Sequence, residues 1–270
     1  MPMSKVVLIT GGSSGIGKSI GNYLTEKGCI VYGTSRNPDR LTEKYSFQLI
    51  QLDVNQPDSI KEAISKIIEK ESRIDVVINN AGVGITGPIE ETPEIEIKNA
   101  FDTNFYGPLN VIKEVLPFMR NQKSGLVLNI TSIAGYMGLP YRGLYSASKA
   151  ALEITTEAYR MEVKQFGIEM ATIAPGDFAT NIAAGRYHCP ELNDSPYKSS
   201  YGKTLQMMNE HVSHGEDPIE MAKQVYRIIN TTKPKVAYKV GSLIQKCSVV
   251  LKRVLPSKMY EKMLMNHYKL

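Results

Sequence analysis

The run Lys5-Val6-Val7-Leu8-Ile9-Thr10-Gly11-Gly12-Ser13-Ser14-Gly15-Ile16-Gly17 decides how the rest of the chain is read. Residues 5–10 form a short β-branched and apolar segment, which predicts a strand. A helical pattern follows at once, with Ile16, Ile20, Tyr23 and Leu24 on one face as far as Lys27, and Gly28 placed to stop it. Strand, glycine turn and helix form the context in which a glycine-rich segment is informative. Glycines let the backbone come close to a pyrophosphate, and amides at the helix N-terminus then face the anion. The spacing predicts a nucleotide site.

Outward from that run the pattern repeats. Short apolar segments predict strands at 29–35, 47–52, 74–79, 125–131, 168–174 and 236–240. Amphipathic segments between them predict helices over 58–70, from Thr92 to about Arg120, from Tyr145 to Gly167, and over 218–230. The alternation predicts an α/β fold with a doubly wound parallel sheet of about seven strands and helices on both faces. Within the long helix starting at Thr92, Asn104 and Gly107 are poor helix formers. Either a locally distorted turn or tight packing accounts for them.

The bulk numbers fit an ordinary globular protein: 270 residues, 42% in the hydrophobic set and 22% charged. A net charge of +5, from 32 Lys and Arg against 27 Asp and Glu, is too diffuse for a nucleic-acid surface. Cys29, Cys189 and Cys247 are too scattered for a disulfide framework or a zinc site and fit a reducing compartment. His211 and His214 have helical spacing but no further ligand in a recognisable motif, so they read as a solvated pair and no metal is expected. With no signal-like leader and no apolar run of spanning length, a cytoplasmic protein is expected.

Candidate chemistry sits at the ends of the predicted strands, where ligands gather in open α/β sheets. Ser35-Arg36 follows the second strand, where an NAD enzyme would carry an acid; an arginine there can grip a 2′-phosphate. Asp53-Val54 follows the third strand and Asn80-Ala81-Gly82 the fourth. Ser132 follows the fifth and Pro175-Gly176 the sixth. Tyr145 and Lys149 are four apart and share a helix face. An ammonium beside a phenol favours the phenolate, which suits general acid/base work.

Thr10-Gly11-x-x-x-Gly15-x-Gly17, Asn79-Asn80-Ala81-Gly82, Asn104, Ser132, Tyr145-x-x-x-Lys149 and Pro175-Gly176 occur together and in order. The chain closely resembles the short-chain dehydrogenase/reductase family over about residues 4–240, on a Rossmann-like fold. The resemblance implies that Tyr145 is the general acid or base and that Ser132 donates to the substrate oxygen. Lys149 would bond the nicotinamide ribose, and the Asn104 main chain would hold a relay water. It further implies a cofactor groove lined by Gly11, Ser13, Ser14, Gly15, Ile16, Gly17, Ser35, Arg36, Asp53, Val54, Asn80, Ala81, Gly82, Tyr145 and Lys149. Pro175, Gly176, Phe178 and Thr180 would close it. NADP(H) is expected over NAD(H), with a small-molecule carbonyl or alcohol as partner and a homodimer or homotetramer as the assembly. A nucleotide-sensing or scaffold protein on the same fold is the alternative, against which the intact Ser132, Tyr145 and Lys149 argue.

A single domain spanning 1–270 is expected, with a cofactor and catalytic core over 4–180. Residues 181–215 read as irregular and polar, and the resemblance implies that they form the substrate lid. Tyr136 and Tyr187 are substrate-side candidates, and the mostly apolar pocket set (Ile85, Ile133, Met137, Leu139, Tyr141 and Phe178 beside them) suggests a steroid, retinoid or keto-lipid. The tail over 241–270 carries a helical apolar stripe, Leu243, Ile244, Cys247, Val250, Leu251, Val254 and Leu255, with Lys246, Lys252, Arg253 and Lys258 among them. It reads as a helix packed on the lid or on another subunit; the competing reading is a basic amphipathic helix on a membrane surface.

Overall fold

The computed structural model describes residues 4–179, 185–213 and 215–270. The chain alternates strand and helix in the order β1 (Val6–Ile9), α1 (Gly15–Glu26), β2 (Ile30–Ser35), β3 (Gln48–Gln51), α2 (Pro57–Glu71), β4 (Val76–Asn79), and later β6 (Gly125–Ile130), α5 (Gly143–Val163), β7 (Ile168–Pro175), α7 (Ile219–Ile229) and β9 (Ala237–Val240). Seven strands form one sheet in the order β3-β2-β1-β4-β6-β7-β9, all pairs parallel. The chain winds outward from β1 through β2 to β3, then returns to place β4 on the other side of β1. This reversal opens a crevice at the strand ends between the two halves.

Central strands buried on both faces need apolar side chains at every position. Val6 and Leu8 enter one core layer with Ile64, Ile67, Val111 and Val115, beneath α2 and α4 (Gly107–Gln122). Val7 and Ile9 point the opposite way, into a second layer with Ile20 and Leu24 of α1 and Val225 and Ile228 of α7. The period-2 alternation of a strand thus builds both cores from one tetrapeptide. Phe47 packs its ring over the bare backbones of Gly21 and Gly33, where any Cβ would collide with it.

The structure decides one open point of the sequence reading and departs from it at two others. The helical stretch expected from Thr92 to about Arg120 is divided into α3 (Glu94–Phe101), a π-helical turn over Asp102–Tyr106 and α4, so of the two explanations for Asn104 and Gly107 the distorted turn is the one observed. The fully buried Asn104 lies within that turn, and its side chain accepts from the Val83 amide of another segment. Residues 181–215 are not irregular throughout: β8 (Tyr187–His188) pairs with the short β5 (Ile85–Thr86), and α6 spans Lys198–Ser213. Finally, the tail forms two helices, α8 (Leu243–Val254) and α9 (Ser257–Tyr268), separated at Pro256. A Ser242–Gln245 capping box starts α8.

Candidate active site

The floor of the crevice is the turn between β1 and α1. Gly11 (φ 64°) and Gly15 (φ 51°) adopt left-handed backbone conformations. Asn80 fastens this turn to the end of β4: its Nδ2 donates to the carbonyls of Thr10 and Gly11, both at 3.0 Å. In return the Thr10 hydroxyl oxygen accepts from the amides of Asn80 and Ala81. Ser14 caps α1 by position but its side chain makes no capping bond, and the first turn carries no acid. The amides there face a groove of about 410 Å³ lined by Gly11, Ser13, Ser14, Gly15, Ile16, Ser35, Arg36, Asp53, Val54, Asn80, Ala81 and Gly82. Anion-directed amides, a bare glycine wall and the Arg36 cation suit a dinucleotide phosphate chain.

At its far end the groove reaches Ile130, Thr131, Tyr145, Lys149 and Pro175. Tyr145 and Lys149 rise from the same face of α5. Lys149 is buried, donates from Nζ to the Ile130 carbonyl at 3.0 Å, and is pulled down to a pKa of about 8 by burial. Gly82 is wedged between two site residues: a Cβ there would stand 3.1 Å from Asn104 Oδ1 and 3.2 Å from Lys149 Nζ. Asn104 Oδ1 accepts from the Val83 amide at 2.8 Å, while its Nδ2 donates to the Val83 carbonyl and to Ser148. Ser148 donates in turn to the Tyr145 carbonyl. The π turn is thereby tied to the helix that holds the Tyr–Lys pair. Ser132 Oγ accepts from the Ala134 amide at 3.1 Å, which leaves its own proton free to donate.

A short chain dehydrogenase family model matches residues 5–189. The chain belongs to this family. A 3-ketodihydrosphingosine reductase of Bacteroides thetaiotaomicron is 39% identical over 259 residues, covering 95% of each chain. A solved short-chain dehydrogenase of Streptomyces avermitilis matches with a TM-score of 0.82 at 31% identity, over 97% of this chain and 98% of its own. ElxO with NADP bound matches at a TM-score of 0.70 and 28% identity, over 88% and 97%. As a short-chain dehydrogenase the protein is an oxidoreductase with a nucleotide cofactor.

Within this short-chain dehydrogenase some residues singled out by sequence lie elsewhere. Tyr136 does not line the groove; its hydroxyl donates to Glu153 at 2.6 Å, and burial together with that carboxylate pushes the phenol upward. Phe178 is 3% exposed and belongs to the core layer around α7, because the chain after Pro175 turns its ring inward. Gly17 packs α1 against the Gly11 carbonyl and Asn80 rather than facing the groove. Gly176 lies beneath the Gln245 side chain. Tyr187 packs with Ile85 around Tyr145. Thr180 and His214 lie outside the described residues, as does the side chain of His211.

Two arginines were missed. Arg142 holds its guanidinium 5.5 Å from the Tyr145 ring centroid. Arg186 is buried beside Gly84, and among the described residues its Nη1 has no hydrogen-bond partner. Burial, followed by the charge of Arg142, lowers the Arg186 pKa. The position of Arg142, one helical turn before Tyr145, was a usable signal; nothing local distinguishes Arg186. Among the described residues no three metal-ligating side chains converge, and no helix is long and apolar enough to cross a membrane.

Proposed function

We propose that the protein interconverts a long-chain ketone and its alcohol using NADP(H), in the keto-lipid class. The observation that carries the reading is the Tyr145–Lys149 pair, standing at one end of the groove whose other end holds Arg36. When bound, the cofactor supplies or accepts the hydride. Tyr145 gives a proton to the carbonyl oxygen in reduction and removes it in oxidation. Ser132, with its hydroxyl oxygen already engaged by the Ala134 amide, directs its proton to the same oxygen and stabilises the charge developing there. Lys149 holds the ribose end and completes the proton path toward Asn104, across the space kept open by Gly82.

Arg36 supports the phosphorylated cofactor. Its guanidinium borders the groove at the end of β2, where a free carboxylate would repel a 2′-phosphate. The likeness to a 3-ketodihydrosphingosine reductase over almost the whole chain supports the substrate class, as do the apolar Ile85, Ala134 and Leu139 packed around Tyr145. Exposed Ile154 and Met161, a helical repeat apart on α5, support assembly with a second copy, which light scattering would measure.

The test is turnover with 3-ketosphingoid bases and long-chain ketones, using NADPH and NADH in parallel. The reading expects a long-chain ketone to be reduced with a higher kcat/KM for NADPH. A preference for NADH, or activity confined to short polar ketones, would contradict it.

A further inference from the structure

Helix α8 carries its apolar stripe outward. At about 100° per residue, Leu243, Ile244, Cys247, Val250, Leu251 and Val254 fall on one arc. Leu243, Ile244, Val250 and Val254 are 76, 83, 59 and 74% exposed, and Cys247 is exposed beside them. The helix is held to the body by its other side. Val249 is buried against Ile133, Met137, Ala174 and Tyr260, and Gln245 donates to Asp177 at 2.8 Å. Lys246 and Arg253 run along one edge of the apolar arc.

The tail also concentrates positive charge, with Lys246 and Arg253 bordering the arc while Lys252 turns toward the body and stands over the Tyr260 ring. Over residues 241–270, Lys246, Lys252, Arg253, Lys258, Lys262 and Lys269 face a single acid, Glu261. That imbalance accounts for the whole net charge of +5 and the rest of the chain is balanced, so the excess is concentrated in the tail and not diffuse as the composition suggested. A contiguous exposed apolar stripe marks an interaction surface. A second copy of the tail would set like charges against each other. An anionic bilayer satisfies both features at once, taking the stripe into its acyl boundary and the cations among its phosphates.

We propose that α8 is a membrane-surface helix that seats the enzyme on anionic phospholipid. Its attachment beside Asp177, Gly176 and Met137 brings the substrate side of the Tyr145 site to the headgroup layer. A long-chain ketone then reaches the site without crossing water. That purpose rests on the keto-lipid reading above; the contact itself does not.

Flotation of the full chain with phosphatidylcholine vesicles, and with equal mixtures of phosphatidylcholine and phosphatidylglycerol, tests the proposal without any turnover. Wild type is expected to float with the mixed vesicles and to be released by salt. Ile244→Glu with Val254→Glu should lower partition at least tenfold, and Lys246→Gln with Arg253→Gln about thirtyfold on the anionic vesicles. Both variants should keep the wild-type Tm and turnover of a short water-soluble ketone. Wild type floating no better with the anionic lipid would overturn the proposal, as would undiminished flotation of the Glu variant. So would conversion of a dimer to a monomer by those substitutions, which would assign the stripe to a second copy. A protein that floats but reduces no ketone would instead count against the keto-lipid reading alone.

Discussion

Lys149 has the most exacting environment of any side chain in the site. It is buried, its Nζ donates to the neutral Ile130 carbonyl, and burial pulls its pKa down from the usual 10.5 to about 8. Between about pH 8 and 10.5 the unfolded chain retains a proton that the folded chain has lost, so this group makes stability rise with pH across that window. The urea midpoint of the cofactor-free wild type should therefore gain on that of Lys149→Met as pH rises through the window; a pH-independent difference would contradict the burial argument. Arg36 makes a separate prediction. Arg36→Asp should shift the kcat/KM ratio toward NADH by about tenfold or more through loss of a charge-assisted phosphate contact, and parallel steady-state kinetics would measure it. Residue identities along the groove were legible in the sequence because each occupies a strand end or helix start with a fixed offset. Phe178, expected to close the cofactor groove, turns into the core instead, because a residue just past a strand end can point to either side of the backbone and only packing decides which.

Whole elements were legible wherever a period was strong. β1 is buried at every position and reads as an uninterrupted apolar run, β4 and β6 are apolar apart from Asn79 and Asn129, and α2 and α7 show a single apolar face. The π turn was foreshadowed by Asn104 but not specified, because its cause lies in the bonds of that side chain to Val83 and Ser148, distant in sequence. β5 and β8 were missed since a two-residue pairing leaves no periodic trace. Helix α1 and the glycine turn act as one unit through Gly17, whose added Cβ would strike the Gly11 carbonyl and the Asn80 amide. Gly17→Ala should cost about 1–3 kcal/mol through overpacking and weaken NADPH binding more than tenfold. Chemical denaturation and fluorescence titration would check both, and unaltered affinity would show that the two elements move independently.

Across the whole molecule, the doubly wound sheet supplies the cofactor crevice, while α8 and α9 close the other side of the catalytic wall. Tyr260 is 1% exposed and its hydroxyl donates to the Met137 sulfur, joining α9 to the segment after Ser132. Tyr268 is buried, and burial pushes its phenol upward against the opposing charge of Arg142, whose guanidinium stands over Tyr145. Tyr260→Ala should loosen the tail and raise KM for a long-chain ketone, with NADPH affinity unchanged because no groove residue is altered. Limited proteolysis together with kinetics would check this. The outward orientation of α8 could not be read from its sequence, since an amphipathic pattern marks two faces without saying which one meets the body.

The account turns on Tyr145 as the proton donor in ketone reduction. Its most direct test is alcohol formation, followed by mass spectrometry, from a long-chain ketone and NADPH by wild type and Tyr145→Phe at matched cofactor saturation. The account predicts alcohol from wild type and at least about a hundredfold less from the variant, with NADPH bound equally by both. Alcohol formed by Tyr145→Phe at a rate near that of wild type would contradict it.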